Sequence, residues 1–447
     1  MDNATKVSAV EKQVMGKIFW RLVPLLMGLY VLSYIDRINV GFAALTMNKD
    51  LGLSATVFGW GAGIFFLGYC LFEVPSNLML ARVGARRWIA RILFTWGLLS
   101  TAMAFVQGPN SFVVMRFLLG VAEAGFFPGV VLYLTYWFPA RYRARIIAAF
   151  MLSIPVSIAV GAPLSTWILG LDGFQGLKGW QWLFIIEGVP AVLATWIVLR
   201  YLTDRPEGAK WLTAAEKSWL EGELVADREM AGKVKQTSSL RAVFTNPAIL
   251  ALAFVYFCAT GANVGLSSFL PQMIKGQGFS NLQVGFLTSL PYIVGCAGML
   301  IIGYWSDRTK ERRWFLVLTM VMAALGLYMA AAFGGSIWSI LSLALAAVGI
   351  LGCKGPFWPL PSAYLSGAAM AGGIAFINSI GNLGGFVGPY AVGWIKDATG
   401  SFAGGLYALA GLAVLAAVTT LMFVKGRGPQ SVETGVGSQD KPKAVAG

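Results

Sequence analysis

MNKDLGLSATVFG, Met47 to Gly59, returns 226 residues later as MIKGQGFSNLQVG, Met273 to Gly285, with Met, Lys, Gly, Ser and Gly in the same five places. The register continues, since Arg82, Arg86, Arg87 and Trp88 answer to Arg308, Arg312, Arg313 and Trp314. These nine identities, in one unbroken register spanning 42 positions, make the chain two copies of one plan. Ser54 and Ser280 stand where each copy would cap the N-terminus of a helix.

What each copy is made of follows from composition. The 447 residues are 57% hydrophobic and 12% charged, with a mean hydropathy of +0.69. That balance suits lipid as solvent. A bilayer core needs about 20 apolar residues per helix, and twelve such runs are spaced from near Val31 to near Val414. Their length and spacing predict helices rather than the ten-residue alternation of a barrel. The expected fold is an all-α polytopic membrane protein of twelve transmembrane helices in two pseudo-symmetric six-helix bundles. Residues 1–202 and 247–425 form the bundles, 203–246 a cytoplasmic linker, and 426–447 a disordered cytoplasmic tail rich in Gly, Ser, Pro and Lys. In the linker, Trp219, Leu220 and Leu224 interleave with charge and predict an amphipathic helix lying against the bundle or the membrane.

The net charge of +14 is explained by topology, not by nucleic acid. Threading twelve spans puts 27 of the 34 Lys and Arg on the side of both termini, leaving Lys49, Lys178, Lys275 and Lys396 opposite. Bases mark the cytoplasmic side. The expectation is a multi-pass inner (plasma) membrane protein with both termini in the cytoplasm and no cleaved signal. There is no histidine, which excludes His triads and His-ligated metals. Cys70, Cys258, Cys296 and Cys353 lie apart in apolar runs and read as small hydrophobes. No phosphate-loop motif is present, so neither a cofactor nor direct drive by ATP is expected.

Three arginine or lysine residues and several acids fall inside spans. A charge near the centre of a membrane helix costs at least about 2.5–3.5 kcal/mol on insertion scales, so it pairs or lines a path. Asp36 and Arg37 sit in the first span, Glu73 in the second, Arg116 and Glu123 in the fourth, Glu187 in the sixth and Lys354 in the tenth. In the repeat register Asp36, Arg37, Arg116 and Glu123 face Ala262, Asn263, Ser342 and Gly349, so the first half carries the charge. Two readings stand side by side. In one, these four residues are buried ion pairs between helices 1 and 4. In the other, the arginines bind an anion through their fork geometry while a neighbouring acid takes a proton as its arginine turns to the substrate. Glu73 and Glu187 read as structural, near span ends, with Trp180 and Trp182 as interfacial anchors. Lys354, in GCKGPFWPLPS, belongs to a broken helix of the kind that lines transporter cavities, and either contacts substrate or snorkels. In the eleventh span Gly381, Gly384, Gly385 and Gly388 predict close helix approach, and Asn378 and Asn382 offer hydrogen bonds to a substrate.

GYWSDRTKERR, Gly303 to Arg313, resembles a loop motif of the major facilitator superfamily. The resemblance covers essentially all twelve spans. It implies that Arg82, Arg86, Asp307, Arg308 and Arg312 brace one state of the transport cycle, although Ala81 stands where the second copy has Asp307. YIDRINVGFA, GYCLFEVPSN, RFLLGVAEAGFFPG, WQWLFIIEG and INSIGNLGGFVGPY together resemble the anion:cation symporter family within it. That resemblance implies proton coupling at Asp36 and Glu123, and substrate binding or gating at Arg37, Tyr69 and Arg116. The sugar-acid carriers' helix 5 glutamine has no counterpart near Ile154 and Pro155, while PFWPLPS fits tartrate-like or aromatic-acid carriers. The expected function is a proton-coupled symporter, not an enzyme, that imports a small organic carboxylate as a monomer by alternating access. Anion exchange or export on the same fold, or a non-transporting sensor, are the other readings.

Overall fold

The computed structural model describes residues 2–233, 240–365 and 367–424, so the predicted tail at 426–447 lies outside the described residues. The chain is almost wholly helical. Its first six long helices are α1 (Val10–Asp50), α2 (Ala55–Val83), α3 (Ala85–Phe105), α4 (Pro109–Thr135), α5 (Ala140–Leu171) and α6 (Gly179–Tyr201). The second six are α7 (Pro247–Lys275), α8 (Asn281–Thr309), α9 (Arg313–Ala332), α10 (Ile337–Ala363), α11 (Gly367–Thr399) and α12 (Ala403–Phe423). Among the described residues eleven of these are long and apolar enough to cross a membrane; α11, at 33 residues, packs against α2, α7 and α12.

The repeat is visible in local structure. Ser54 accepts from the Val57 amide at 3.2 Å and Ser280 from the Gln283 amide at 3.4 Å, starting α2 and α8 in the same way. The α2–α3 turn uses Gly84 at φ +97°, a conformation that side chains resist. There the Asp204 carboxylate, from the segment after α6, accepts from the Arg86 amide at 2.7 Å.

The linker helix Ala214–Lys233 docks on the end of the first bundle that carries the N-terminus. Leu220 and Leu224 bury against the core, Lys17 pairs with Glu216 at 2.5 Å, and Arg141 bridges Glu11 and Glu223 at 2.7 and 2.8 Å. Hydrogen bonding from Lys17 and from the Thr213 amide holds the Glu216 carboxyl below its ordinary value. This attachment is therefore strongest near neutrality and weakens as pH falls through that lowered value.

The two bundles meet along an antiparallel seam between α2 and α11. A Cβ added to Gly59 would fall 2.3 Å from the Pro389 carbonyl oxygen, to Gly63 2.5 Å from that of Phe386, and to Gly393 2.1 Å from that of Ala55. At its outer end Asp397 accepts from the Ala55 and Thr56 amides at 3.1 and 2.7 Å. The same end is closed elsewhere by Asn48 against Gln272 at 3.4 Å and by Gly285 packed on Ala162 and Thr166. Toward the termini the bundles part. Between Ala55 and Cys70 only Trp60 is exposed, whereas nine of the thirteen residues from 71 to 83 are. Gly63→Ala puts a methyl group into the Phe386 backbone and is expected to disfavour this closed end. A cysteine in place of Asn48 should then react faster with an impermeant maleimide.

Close approach in the second bundle rests on the predicted glycines. A Cβ on Gly384 would lie 2.1 Å from the Phe257 carbonyl oxygen, and one on Gly388 2.1 Å from that of Gly261. Trp180 corrects the sequence reading. It is 3% exposed and its indole donates to Asp50 at 3.0 Å, so it is a buried brace between α6 and α1 rather than an interfacial anchor.

Candidate functional site

The fourth helix is broken where its acid sits. Helical geometry stops at Glu123 and resumes at Phe126, with Gly125 at φ +83°; a Cβ on Gly125 would also strike the Ser76 hydroxyl at 2.4 Å. Glu123 is fully buried, and its Oε1 accepts from Arg37 at 2.5 Å and from Ser33 at 2.6 Å, both on α1. Its Oε2 has no partner. The α1–α4 ion pair anticipated from sequence is thus Arg37 with Glu123.

The other two members of that quartet go elsewhere. Asp36 turns away to α3 and α1, taking hydrogen bonds from Trp96 at 2.6 Å, Asn39 at 3.0 Å and Ser100. Arg116 is 1% exposed, forms no ion pair among the described residues, donates from Nε to the Gly61 carbonyl at 3.3 Å, and leaves Nη1 without a partner. Phe65 separates the two guanidiniums, with Arg116 4.9 Å and Arg37 5.4 Å from its ring centre. Tyr69 lies 5.3 Å from Arg37.

Both arginines open onto one cavity of about 230 Å³ between the bundles. Lys354 reaches it from the other side, where α10 breaks after Gly352 into the short helix Lys354–Phe357 and a 3-10 turn, Leu360–Ala363. Arg37, Arg116 and Lys354 line the wall and, among the described residues, no carboxylate does. Tyr69, Asn378 and Asn382 add polar groups; Phe66, Phe127, Met151, Ile154 and Trp358 supply an apolar side. Asp36 and Glu123 stand behind the wall, the latter one contact away through Arg37.

Sequence reading missed some of the lining. Tyr30, Tyr256 and Asn263 also face the cavity. The repeat held the signal, because the 226-residue register pairs Tyr30 with Tyr256 and Arg37 with Asn263. The two asparagines of α11 are not idle either: Asn378 donates to both oxygens of Glu73, at 2.8 and 3.2 Å, and Asn382 donates to Oε2 at 3.2 Å. Glu187 keeps a local role, accepting from Ser165 at 2.7 Å.

The motif residues lie far from the cavity. Arg312 pairs with Asp307 at 2.6 Å and donates to Ser306 at 3.0 Å, and Arg308 donates to Tyr304 at 3.3 Å. In the first copy Ala81 offers no carboxylate, Arg82 has no ion pair among the described residues, and Asp204 takes the Arg86 amide instead.

Comparison with known proteins can now be set beside this geometry. The sequence profile described as Major Facilitator Superfamily matches residues 26–389 and 252–445. The chain belongs to the Major Facilitator Superfamily. An Agrobacterium vitis protein named "Putative tartrate transporter" is 53% identical over 93% of this chain and 96% of its own. An Acinetobacter baumannii protein named "Quinolone resistance transporter" is 44% identical over 89% of this chain and 92% of its own. The Escherichia coli "Inner membrane transport protein RhmT" is 38% identical over 88% of this chain and 91% of its own. Among solved structures, a D-xylose-proton symporter superposes with a TM-score of 0.73 at 16% identity, covering 91% of this chain and 98% of that one. That likeness shows the shared fold. This superfamily member is therefore a multi-pass membrane transporter of the secondary type, related to the anion:cation symporters, and not an enzyme.

Proposed function

We propose that this transporter carries a small organic carboxylate into the cell together with protons. The observation that supports it most is the cavity wall, with three cations, no acid, and a buried Arg116 whose Nη1 has no partner. A buried unpaired charge is costly, and an anion in the cavity supplies the missing partner. The volume of about 230 Å³ falls below the usual range of about 300–1,000 Å³ for small-molecule sites, which favours a compact anion such as tartrate, the substrate in the name of a 53% identical relative. Arg37, Tyr69, Arg116, Lys354, Asn378 and Asn382 hold the anion, and Asp36 and Glu123 carry protons. The cavity is complete within one chain, so the working unit is a monomer.

The distribution of bases supports a cytoplasmic location for both termini at the inner membrane, and on that reading the arrangement described above opens inward. The bundles, 1–202 and 247–425, rock about the midplane site, with Arg82, Arg86, Asp307, Arg308 and Arg312 bracing the state in which the inner end is shut. Proteoliposomes given labelled tartrate are expected to accumulate it when the outside is made acidic. Uptake indifferent to the imposed gradient would overturn the coupling. Outward transport is the second reading, favoured by the 44% identical quinolone resistance transporter. Energised inside-out vesicles that load the anion or a quinolone would select it.

A further inference from the structure

Glu73 lies where the α2–α11 seam ends and the bundles begin to part. It is a half-buried carboxylate of the first bundle whose three hydrogen bonds all come from amides of the second, Asn378 and Asn382. Those two asparagines also line the cavity, while Glu73 does not. One pair of donors therefore serves two acceptors, an acid of the seam and whatever anion occupies the site.

We propose that Asn378 and Asn382 alternate between Glu73 and the substrate carboxylate, making Glu73 a further proton-coupling residue. The inference rests on the cavity being a carboxylate site. Two carboxylates cannot share these donors at close range while both are ionised, since like charges oppose each other in a low-dielectric setting. When the anion takes the amides, Glu73 takes a proton from the aqueous vestibule. When the anion leaves, the amides return to Glu73 and the proton departs. The groups facing Glu73 are Arg37 of α1, Tyr69 and Cys70 of its own helix, Tyr256 of α7 and the two asparagines of α11. The one cation among them, Arg37, is already bound to Glu123. The only other donors in that circle are the Tyr69 and Tyr256 hydroxyls and the Cys70 thiol, which are neutral and give Glu73 no hydrogen bond among the described residues, so the charge left by the lost amides is met by a proton.

Calorimetry of the full-length protein with tartrate, in buffers of different ionisation enthalpy, counts the protons taken up on binding. Glu73→Gln should take up about one proton fewer than the unsubstituted protein, and its affinity should be several-fold tighter at neutral pH, because a neutral amide competes less for Asn378 and Asn382. Glu73→Asp, which keeps an ionisable group, should restore the proton uptake; this separates coupling from damage to the fold. Unchanged proton uptake in Glu73→Gln, with tartrate bound normally, overturns the inference and leaves the carboxylate site standing. If the unsubstituted protein binds no tartrate, sugar acid or aromatic acid, the carboxylate reading fails and this inference with it.

Discussion

Arg116→Ala is expected to remove carboxylate binding while leaving the substrate-free protein as stable as before, or more so. This guanidinium makes few polar contacts within the protein, since its one hydrogen bond among the described residues is the 3.3 Å contact to the Gly61 carbonyl and Nη1 is unmatched. Taking away a buried charge with no direct ion pair among the described residues relieves a desolvation cost, which offsets the packing and the longer-range attraction of Asp36 and Glu123 lost with the side chain. Binding tells the opposite story. Removing one partner of a buried, hydrogen-bonded charge pair costs about 2–5 kcal/mol, or roughly 30-fold to several thousand-fold in affinity. Arg116→Lys keeps the charge but loses the planar fork, and should fall between the two. Thermal shift reads both halves of the prediction, because a ligand at about 100 times its Kd stabilises by about 2.7 kcal/mol. The unsubstituted protein should show that shift with tartrate and Arg116→Ala should not, from an equal or higher starting temperature. Equal shifts in both proteins would remove Arg116 from the binding site.

How far such a site can be read from sequence depends on which distances the sequence controls. Arg116 and Glu123 are two helical turns apart, which puts them on one face of a continuous helix. Spacing alone does not say which neighbour each will meet. The break at Ala124–Gly125 comes directly after Glu123, whose carboxylate goes to α1, while Arg116 reaches Gly61 and the cavity. Glu73 makes the same point more sharply, because its partners lie 305 and 309 residues away on a helix of the other bundle. Trp180 looked interfacial by its place near a helix start, and the distant Asp50 carboxylate drew it inside. The architecture was easier to read, because each half repeats caps, basic turns and glycines at fixed offsets. That register even marks cavity residues such as Tyr256 and Asn263, for which no local pattern exists.

The second large effect is expected at Glu123. Glu123→Gln should sharply cut accumulation of the anion driven by a pH gradient while labelled anion still exchanges against unlabelled. Glu123 is sealed from solvent and holds Arg37 through Oε1, leaving Oε2 unmatched. An arriving carboxylate must draw Arg37 from that pairing. Glu123 would then retain only the Ser33 hydroxyl in a site of low dielectric, where an isolated carboxylate is costly and a proton neutralises it. Glutamine keeps the volume and can still accept from Arg37 and Ser33, but it has no proton to gain or lose. In the variant, the anion no longer competes with a formal negative charge for Arg37, so its affinity should be equal or higher at neutral pH and should rise less steeply as pH falls, the remaining dependence coming from Glu73. The unsubstituted protein should bind more tightly as pH falls, because the protonated Glu123 releases the guanidinium. Proteoliposomes separate these outcomes: an acid-outside gradient should concentrate tartrate strongly in vesicles carrying the unsubstituted protein and far less in Glu123→Gln vesicles. Accumulation undiminished by Glu123→Gln would leave the Arg37–Glu123 pair a structural brace and put the coupling on Asp36 and Glu73 alone.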